Sequence, residues 1–313
     1  SSRVRISLAF TLAVAWLLAP LDGAQTVRKP FIGVTMIART ETAPRFLQIH
    51  IVQIDLNAPG IRFKLTAPGG KMEAIRNTTV EFLSEEHAQV AVNAHFFLPF
   101  PSTSADANLI GLAASNGNVY SGFESPAQSY AIIPDAPALN IDQSNRVSIV
   151  HRNPSDSDGK HALESVMLWN VVSGSAQIVT DGVKTIPIYK DEEHLDGILI
   201  PGGGVGYDNS RSWYNIVTAR TAIGITRDNK TLILFTVDRS TKSLGMTVGE
   251  IADMLIRDYS VVNALNLDGG GSTTLAMENP STHAAELVNV PDDSPRGRYV
   301  GSNLAVFANP IQK

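Results

Sequence analysis

Cysteine is absent from all 313 residues, so this chain can build no disulfide framework, thiolate metal site or cysteine nucleophile. Charge is sparse as well. With 18% charged residues and a net charge of -5, the composition offers no footprint for nucleic acid or an anionic membrane surface. Any anionic ligand must find its positive charge locally. After Ala19 no apolar run is long enough to span a bilayer, and no internal repeat or low-complexity tract is visible.

What is present suits an ordinary globular protein, since 43% hydrophobic residues can bury a sizeable core. Arg3 and Arg5 precede the apolar run from Ile6 to Ala19, and Asp22-Gly23-Ala24 supplies small residues before Gln25. Residues 1–24 therefore read as a secretory signal peptide, with a membrane anchor as the alternative. Residues 25–40 form a leader segment and residues 41–310 one domain. An exported chain without cysteine points to a bacterial envelope protein, secreted or periplasmic, with no membrane contact once the signal is removed.

Alternation from Phe46 to Leu56, the turn Asn57-Ala58-Pro59-Gly60, and renewed alternation over Ile61 to Leu65 predict a β-hairpin. Thr78 with Glu81, and Thr247 with Glu250, predict capping boxes that open two helices, the second amphipathic with Ile251, Met254 and Leu255 inward. Gln89 to Asn93 reads as a buried strand. Ile216 to Val237 reads as two strands joined at Arg227-Asp228-Asn229-Lys230, and Asn303 to Phe307 as a final one. Residues 98–160 look like a loop-rich region with strands at Tyr130–Ile133 and Val147–Val150, and Pro201-Gly202-Gly203-Gly204 like a turn. The strand-rich pattern predicts an α+β or mixed α/β fold: a large, mostly antiparallel twisted sheet system with a few packed helices.

The chain's most distinctive stretch is Ala264 to Met277, ALNLDGGGSTTLAM. Asp268 and three glycines break an apolar strand that resumes in β-branched residues. Each glycine in such a place is unfavourable by roughly 0.5–1 kcal/mol relative to alanine, so a compensating role is expected. One reading is a nest of backbone N–H groups over Gly269, Gly270 and Gly271 that holds an anion beside the Ser272 and Thr273 hydroxyls, with Asp268 addressing the chemistry. The other is a bulged turn capped by Asp268. No lysine follows the glycines, which excludes a P-loop.

Two further residues are ambiguous alone. Asn93 ends an apolar strand, as a turn former or as a buried carboxamide with partners. Arg220 lies within an apolar strand beside Thr221, either on a solvated edge or bound to a carboxylate or phosphate.

The segment NLDGGGSTT, the upstream ARTAIGIT from Ala219 to Thr226 and the terminal RYVGSNLAVF from Arg298 to Phe307 resemble the phosphodiester glycosidase family in motif order, over roughly residues 85–308. The family's Asn-Gly-x-Phe-Phe-like element is matched at Asn93, Phe96 and Phe97, while Ala94 and His95 depart from it. Arg239 departs at a position after Asp238 where the family often has glycine. The resemblance implies hydrolysis of a sugar-1-phosphodiester, with N-acetylglucosamine-1-phosphodiester as the reference substrate. It makes Arg220 a phosphate contact, and Asn93, Thr221, Arg298 and Asn303 substrate-binding residues.

Such a site must hold phosphate, stabilise an oxocarbenium-like transition state and deliver water or a nucleophile with a carboxylate. Asp268 is the first candidate for that carboxylate and Asp238 the second. The ligand would be a sugar-phosphate small molecule or an envelope polysaccharide. No cofactor is required, and a divalent cation such as Ca²⁺ or Mg²⁺ on the two carboxylates is left open. The competing reading is a non-catalytic envelope module that binds anionic polysaccharide or a protein partner.

Overall fold

The computed structural model describes residues 23–123, 133–188, 190, 192–195, 197, 213–293 and 295–312. Residues 1–22, most of the Tyr130–Ile133 stretch and the Pro201–Gly204 cluster lie outside these. Three successive antiparallel strands come first: β1 (Ala24–Phe31), β2 (Val34–Glu41) and β3 (Leu47–Asp55). Then come β4 (Arg62–Leu65), β5 (Ala74–Ile75), helix α1 (Thr79–Glu86) and β6 (Val90–Asn93). Short strands follow: β7 (Phe97–Leu98), β8 (Asp106–Leu109), β9 (Ala113–Ser115), β10 (Asn118–Ser121), β11 (Ala138–Ile141) and β12 (Val147–Val150). The next group is β13 (Asn170–Ser173), β14 (Ala176–Thr180), β15 (Val183–Lys184), β16 (Arg220–Thr226) and β17 (Thr231–Val237). Helix α2 (Val248–Tyr259), β18 (Val261–Asn266), β19 (Leu275–Glu278), β20 (Ala285–Leu287) and β21 (Asn303–Phe307) complete the described chain.

These strands make an eight-stranded sheet, β1-β2-β3-β17-β16-β18-β14-β15, and a five-stranded sheet, β20-β19-β6-β21-β4. A second five-stranded sheet and a three-stranded sheet hold the shorter strands. Strand parity then sorts the side chains. Even-numbered residues of β3 and β17, Val52, Ile54, Leu232 and Leu234, join one cluster with Val90, Val92, Leu304 and Val306 of the smaller sheet. Odd-numbered ones, Ile49, Ile51, Ile233 and Phe235, pack on Ile251, Met254 and Leu255 of α2. On the far side, Ala91, Ala276 and Ala305 meet Val80, Phe82 and Leu83 of α1. The layers are thus helix, sheet, sheet, helix, with the central strands buried on both faces.

The fold is more sheet-dominated than an α+β description conveys, with two α-helices among the described residues. Both open with the capping boxes read from the sequence. Residues 25–40, set apart above as a leader, lie in β1 and β2, and Val34, Met36 and Ile37 of β2 are buried in the core. The predicted hairpin over 46–65 does not form. β3 pairs with β2 and β17, whereas β4 crosses to the other sheet and pairs with β21, because Phe63 and Leu65 find their apolar neighbours there. Ser272 and Thr273 precede the second strand of the glycine segment, which begins at Leu275.

Packing at the junction between β13 and β14 is tight. A Cβ added at Gly174 would lie 1.8 Å from the Asn266 carbonyl oxygen at the end of β18. Gly174→Ala is expected to destabilise the fold by about 3 kcal/mol through forced backbone displacement, read as a lower urea midpoint with an unchanged slope. An unchanged midpoint would refute the contact.

Candidate active site

The loop from Asp268 to Thr274 carries the chain out of the eight-stranded sheet at β18 and into the five-stranded sheet at β19. Its geometry explains each glycine separately. A Cβ at Gly269 would sit 2.8 Å from the Ala219 carbonyl oxygen, so the loop runs against the backbone just before β16. Gly270 takes φ +58, the left-handed region. At Gly271 a Cβ would meet Arg298 Nη2 at 2.3 Å; the missing side chain is the space the guanidinium occupies.

The N–H groups do not all converge on an open concavity. Gly270 donates to the Ala219 carbonyl at 2.8 Å, Ser272 to Gly269 at 3.1 Å and Thr273 to Gly270 at 3.2 Å, closing a 3₁₀ turn. Positive charge comes from Arg298 instead.

Asp268 stands at the mouth of this turn, 9% exposed. Burial pushes its carboxyl up to about 7, against the opposing pull of the Ser272 hydroxyl, the Arg298 charge and the Gly269 N–H. Arg298 Nη1 donates to Ser272 Oγ at 3.2 Å, and its Nε donates to Asp293 Oδ2 at 2.7 Å. The serine hydroxyl therefore links guanidinium to carboxyl. A cavity of about 600 Å³ is bounded by Arg298, Asp293, Phe100, Arg76 and Tyr299, so Arg298 connects it to the buried carboxyl.

Beneath the loop lies a buried polar layer. Asn93 Nδ2 donates to the Asp268 carbonyl at 2.6 Å, while its Oδ1 accepts from Thr221 Oγ1 at 2.9 Å and the Thr274 N–H at 3.1 Å. Thr221 Oγ1 also lies 3.3 Å from Thr273 Oγ1, and the Asp268 N–H donates to the Ala94 carbonyl at 3.0 Å. The ends of β6, β16 and β18 are tied together here. Of the two readings of Asn93, the buried carboxamide with partners is the one found.

Other sequence candidates fall outside this opening. Arg220 is fully buried, as a side chain on an interior strand must be, and donates from Nε to the Met246 carbonyl at 3.1 Å and from Nη2 to the Ile216 carbonyl at 2.5 Å. Burial pulls its guanidinium down to about 10. The side chain of Arg220 is buried, and its partners include these two backbone carbonyls. Asp238 is 1% exposed and has both oxygens engaged, Oδ1 by Asn289 Nδ2 at 3.0 Å and Oδ2 by the Val290 N–H at 3.1 Å. Burial raises its carboxyl to about 6. Because Asn289 also donates to the Thr273 carbonyl and accepts from the Leu275 N–H, Asp238 orients the loop rather than facing the cavity.

Asn303 stands across from Asn93 in the β21–β6 ladder, with Oδ1 accepting from Thr79 Oγ1 at 2.6 Å. Arg239, in place of the expected glycine, pairs with Asp292 and donates to Thr218 Oγ1 at 2.6 Å. His95 is fully buried, its ring nitrogens beside Ser302 Oγ at 2.8 Å and the Leu112 carbonyl at 2.9 Å, and burial pulls it down to about 4. That is a structural histidine.

Comparison with known families matches residues 86–307 to the phosphodiester glycosidase family. The chain belongs to that family. The mouse N-acetylglucosamine-1-phosphodiester alpha-N-acetylglucosaminidase is 32% identical over 161 residues, covering 42% of this chain and 30% of the mouse protein. The human protein of the same name is 42% identical over 77 residues, covering 23% of this chain and 15% of its own. The chain thus matches less than a third of either relative's length.

Among solved structures, the zebrafish enzyme of that name, its catalytic domain auto-inhibited by pro-peptide, superimposes with a TM-score of 0.62 at 18% identity, over 92% of this chain and 89% of the other. A hypothetical protein from Synechocystis gives a TM-score of 0.55 at 16% identity, over 93% and 69%. These likenesses establish a shared fold.

The residues lining the cavity at Arg298 that the sequence did not single out include Arg76, Phe100, Asp293 and Tyr299. The run FFLPFP, Phe96 to Pro101, which follows the end of β6 after two intervening residues, is the one local signal that could have drawn attention to Phe100. A group of side chains with the spacing for a metal ion lies elsewhere: Asp156, Asp158 and His161 have ligand atoms within 4.8 Å of one another on the loop after β12. Among the described residues, Asp268 and Asp238 belong to no such group of three. No described helix is long and apolar enough to cross a membrane.

Proposed function

We propose that this protein is an exported glycosidase that hydrolyses a sugar-1-phosphodiester to free sugar and a phosphomonoester. The substrate is N-acetylglucosamine-1-phosphodiester or an envelope polymer with the same linkage. The observation that carries the reading is the Asp268 carboxyl, buried beside Ser272 and linked through it to Arg298, which lines an open cavity. The names of the mouse and human relatives support the substrate class, and the apolar run from Ile6 to Ala19 supports export.

The chemistry follows from the carboxyl's setting. Ionised Asp268 takes a proton from water as the water oxygen bonds to C1. The C1–O bond to phosphate breaks, and its electron pair leaves on the phosphomonoester. That product has a second pKa of about 6, so the leaving oxygen needs little protonation. Arg298 offsets the negative charge that substrate brings toward the ionised carboxylate.

A base that titrates near neutrality is well matched to this step. Free-sugar release, measured on the purified chain from pH 5 to 9, is expected to rise through about 7 and then level off as Asp268 ionises. A rate that falls over the same range would instead make Asp268 a general acid. No release from any α- or β-linked sugar phosphodiester would favour the binding module.

A further inference from the structure

The cavity that Arg298 lines contains a second arginine, Arg76, upstream of the residues matched to the family. Its Nε donates to the Asp106 carbonyl at 3.0 Å and its Nη2 to the Pro99 carbonyl at 2.7 Å. Nη1 makes no hydrogen bond among the described residues. Arg298 repeats the pattern: Nε is held by Asp293 and Nη1 by Ser272, while Nη2, which lies against Gly271, makes no hydrogen bond among the described residues.

Both guanidinium groups are also stacked. Arg76 Cζ lies 5.1 Å from the Phe97 ring centre and Arg298 Cζ 4.5 Å from the Phe100 ring centre. The two rings meet edge to face, with centres 5.9 Å apart and planes at 81°. Hydrogen bonds and ring contacts together fix both cations before any ligand arrives, and each keeps one terminal nitrogen for it.

The local charge is unusual for this chain. On a protein of net charge -5, the cavity has two arginines against the single carboxylate of Asp293, which is already bound to Arg298. The hydroxyls of Ser102 and Thr103 line the same wall. Paired planar donors over tetrahedral oxygens suit a phosphate group.

We infer that Arg76 and Arg298 form a two-arginine clamp that binds the non-bridging phosphate oxygens of the substrate and of the phosphomonoester released from it. The inference rests on the sugar-phosphodiester reading and assigns to Arg76 the phosphate contact that the sequence suggested for Arg220. Arg76 binds the leaving group, and Asp268 acts at C1.

The test compares product inhibition of sugar release in wild type, Arg76→Met and Arg76→Lys. Methyl phosphate represents the phosphomonoester, and free sugar the other product. For Arg76→Met, the inhibition constant of methyl phosphate is expected to rise at least tenfold and that of free sugar less than twofold, with Arg76→Lys recovering part of the loss. Equal weakening of both inhibitors would mean that Arg76 only shapes the loop, and an unchanged methyl phosphate constant would also overturn the clamp. If wild type releases no sugar, the functional reading fails on its own, and calorimetric titration with methyl phosphate still decides the clamp. Binding to wild type that weakens tenfold in Arg76→Met supports it, and no binding to wild type refutes it.

Discussion

Asp268→Asn is expected to lower free-sugar release by about 10³-fold, within the range general-base catalysis supplies, while making the protein more stable at alkaline pH. Both effects have one origin. The folded carboxyl titrates at about 7, well above its ordinary value of 3.8, because burial disfavours the anion. A raised carboxyl stabilises the fold fully below its unfolded pKa, and that contribution is lost as pH rises through the folded one. Above pH 7 the ionised group therefore destabilises the protein, on the order of 4 kcal/mol for a shift of roughly three units. The amide has no such charge. Melting curves of wild type and variant should separate progressively from pH 5 to pH 8, the variant melting higher, and run parallel beyond. A variant that melts lower at pH 8 would show that the carboxylate is better compensated than its surroundings suggest.

Asn93→Ala should change stability by a similar amount in the opposite direction. It removes the acceptor for the Thr274 N–H and Thr221 hydroxyl and the donor to the Asp268 carbonyl, all in a buried layer. Leaving such groups without partners is destabilising by about 1–3 kcal/mol each, so a total near 4 kcal/mol is expected from urea unfolding. Sugar release should fall as well, since the Asp268 backbone loses its anchor. Asn93→Ala with wild-type stability would mean that water replaces the side chain at this junction.

Local pattern made much of the architecture legible. The Thr78/Glu81 and Thr247/Glu250 pairs located both helix starts, because a capping box is complete within four residues. Alternation located β3, and an apolar run bounded by a turn located β17; the two faces of both meet different layers. It could not choose their partners: β4 follows β3 by a short turn yet pairs with β21, near the other end of the chain. The candidate site divides along the same line. Asp268 and its glycines stood out, since three glycines in a core strand contradict local preference. Arg220 stayed ambiguous, because an arginine among apolar residues fits a phosphate site or a buried structural site equally well, and one of its partners, Met246, is 26 residues away. Arg76 gave no signal, as its significance lies in sharing a cavity with Phe100 and Arg298.

The handover of the chain from one sheet to the other at Asp268–Thr274 bears on how the site can move. β6 and β21 are interior strands, and β18 lies between β16 and β14, so every strand end beneath Asp268 is held on two sides. Local opening of those strands would have to break ladders in both sheets at once, and the base and its anchors move as part of the globular core. The segments that carry Phe100, Asp293 and Tyr299 lie outside the strands. In the proposed reaction, adjustment to differently shaped leaving groups would therefore fall to the walls, and the position of the attacking water would stay constant from one substrate to the next.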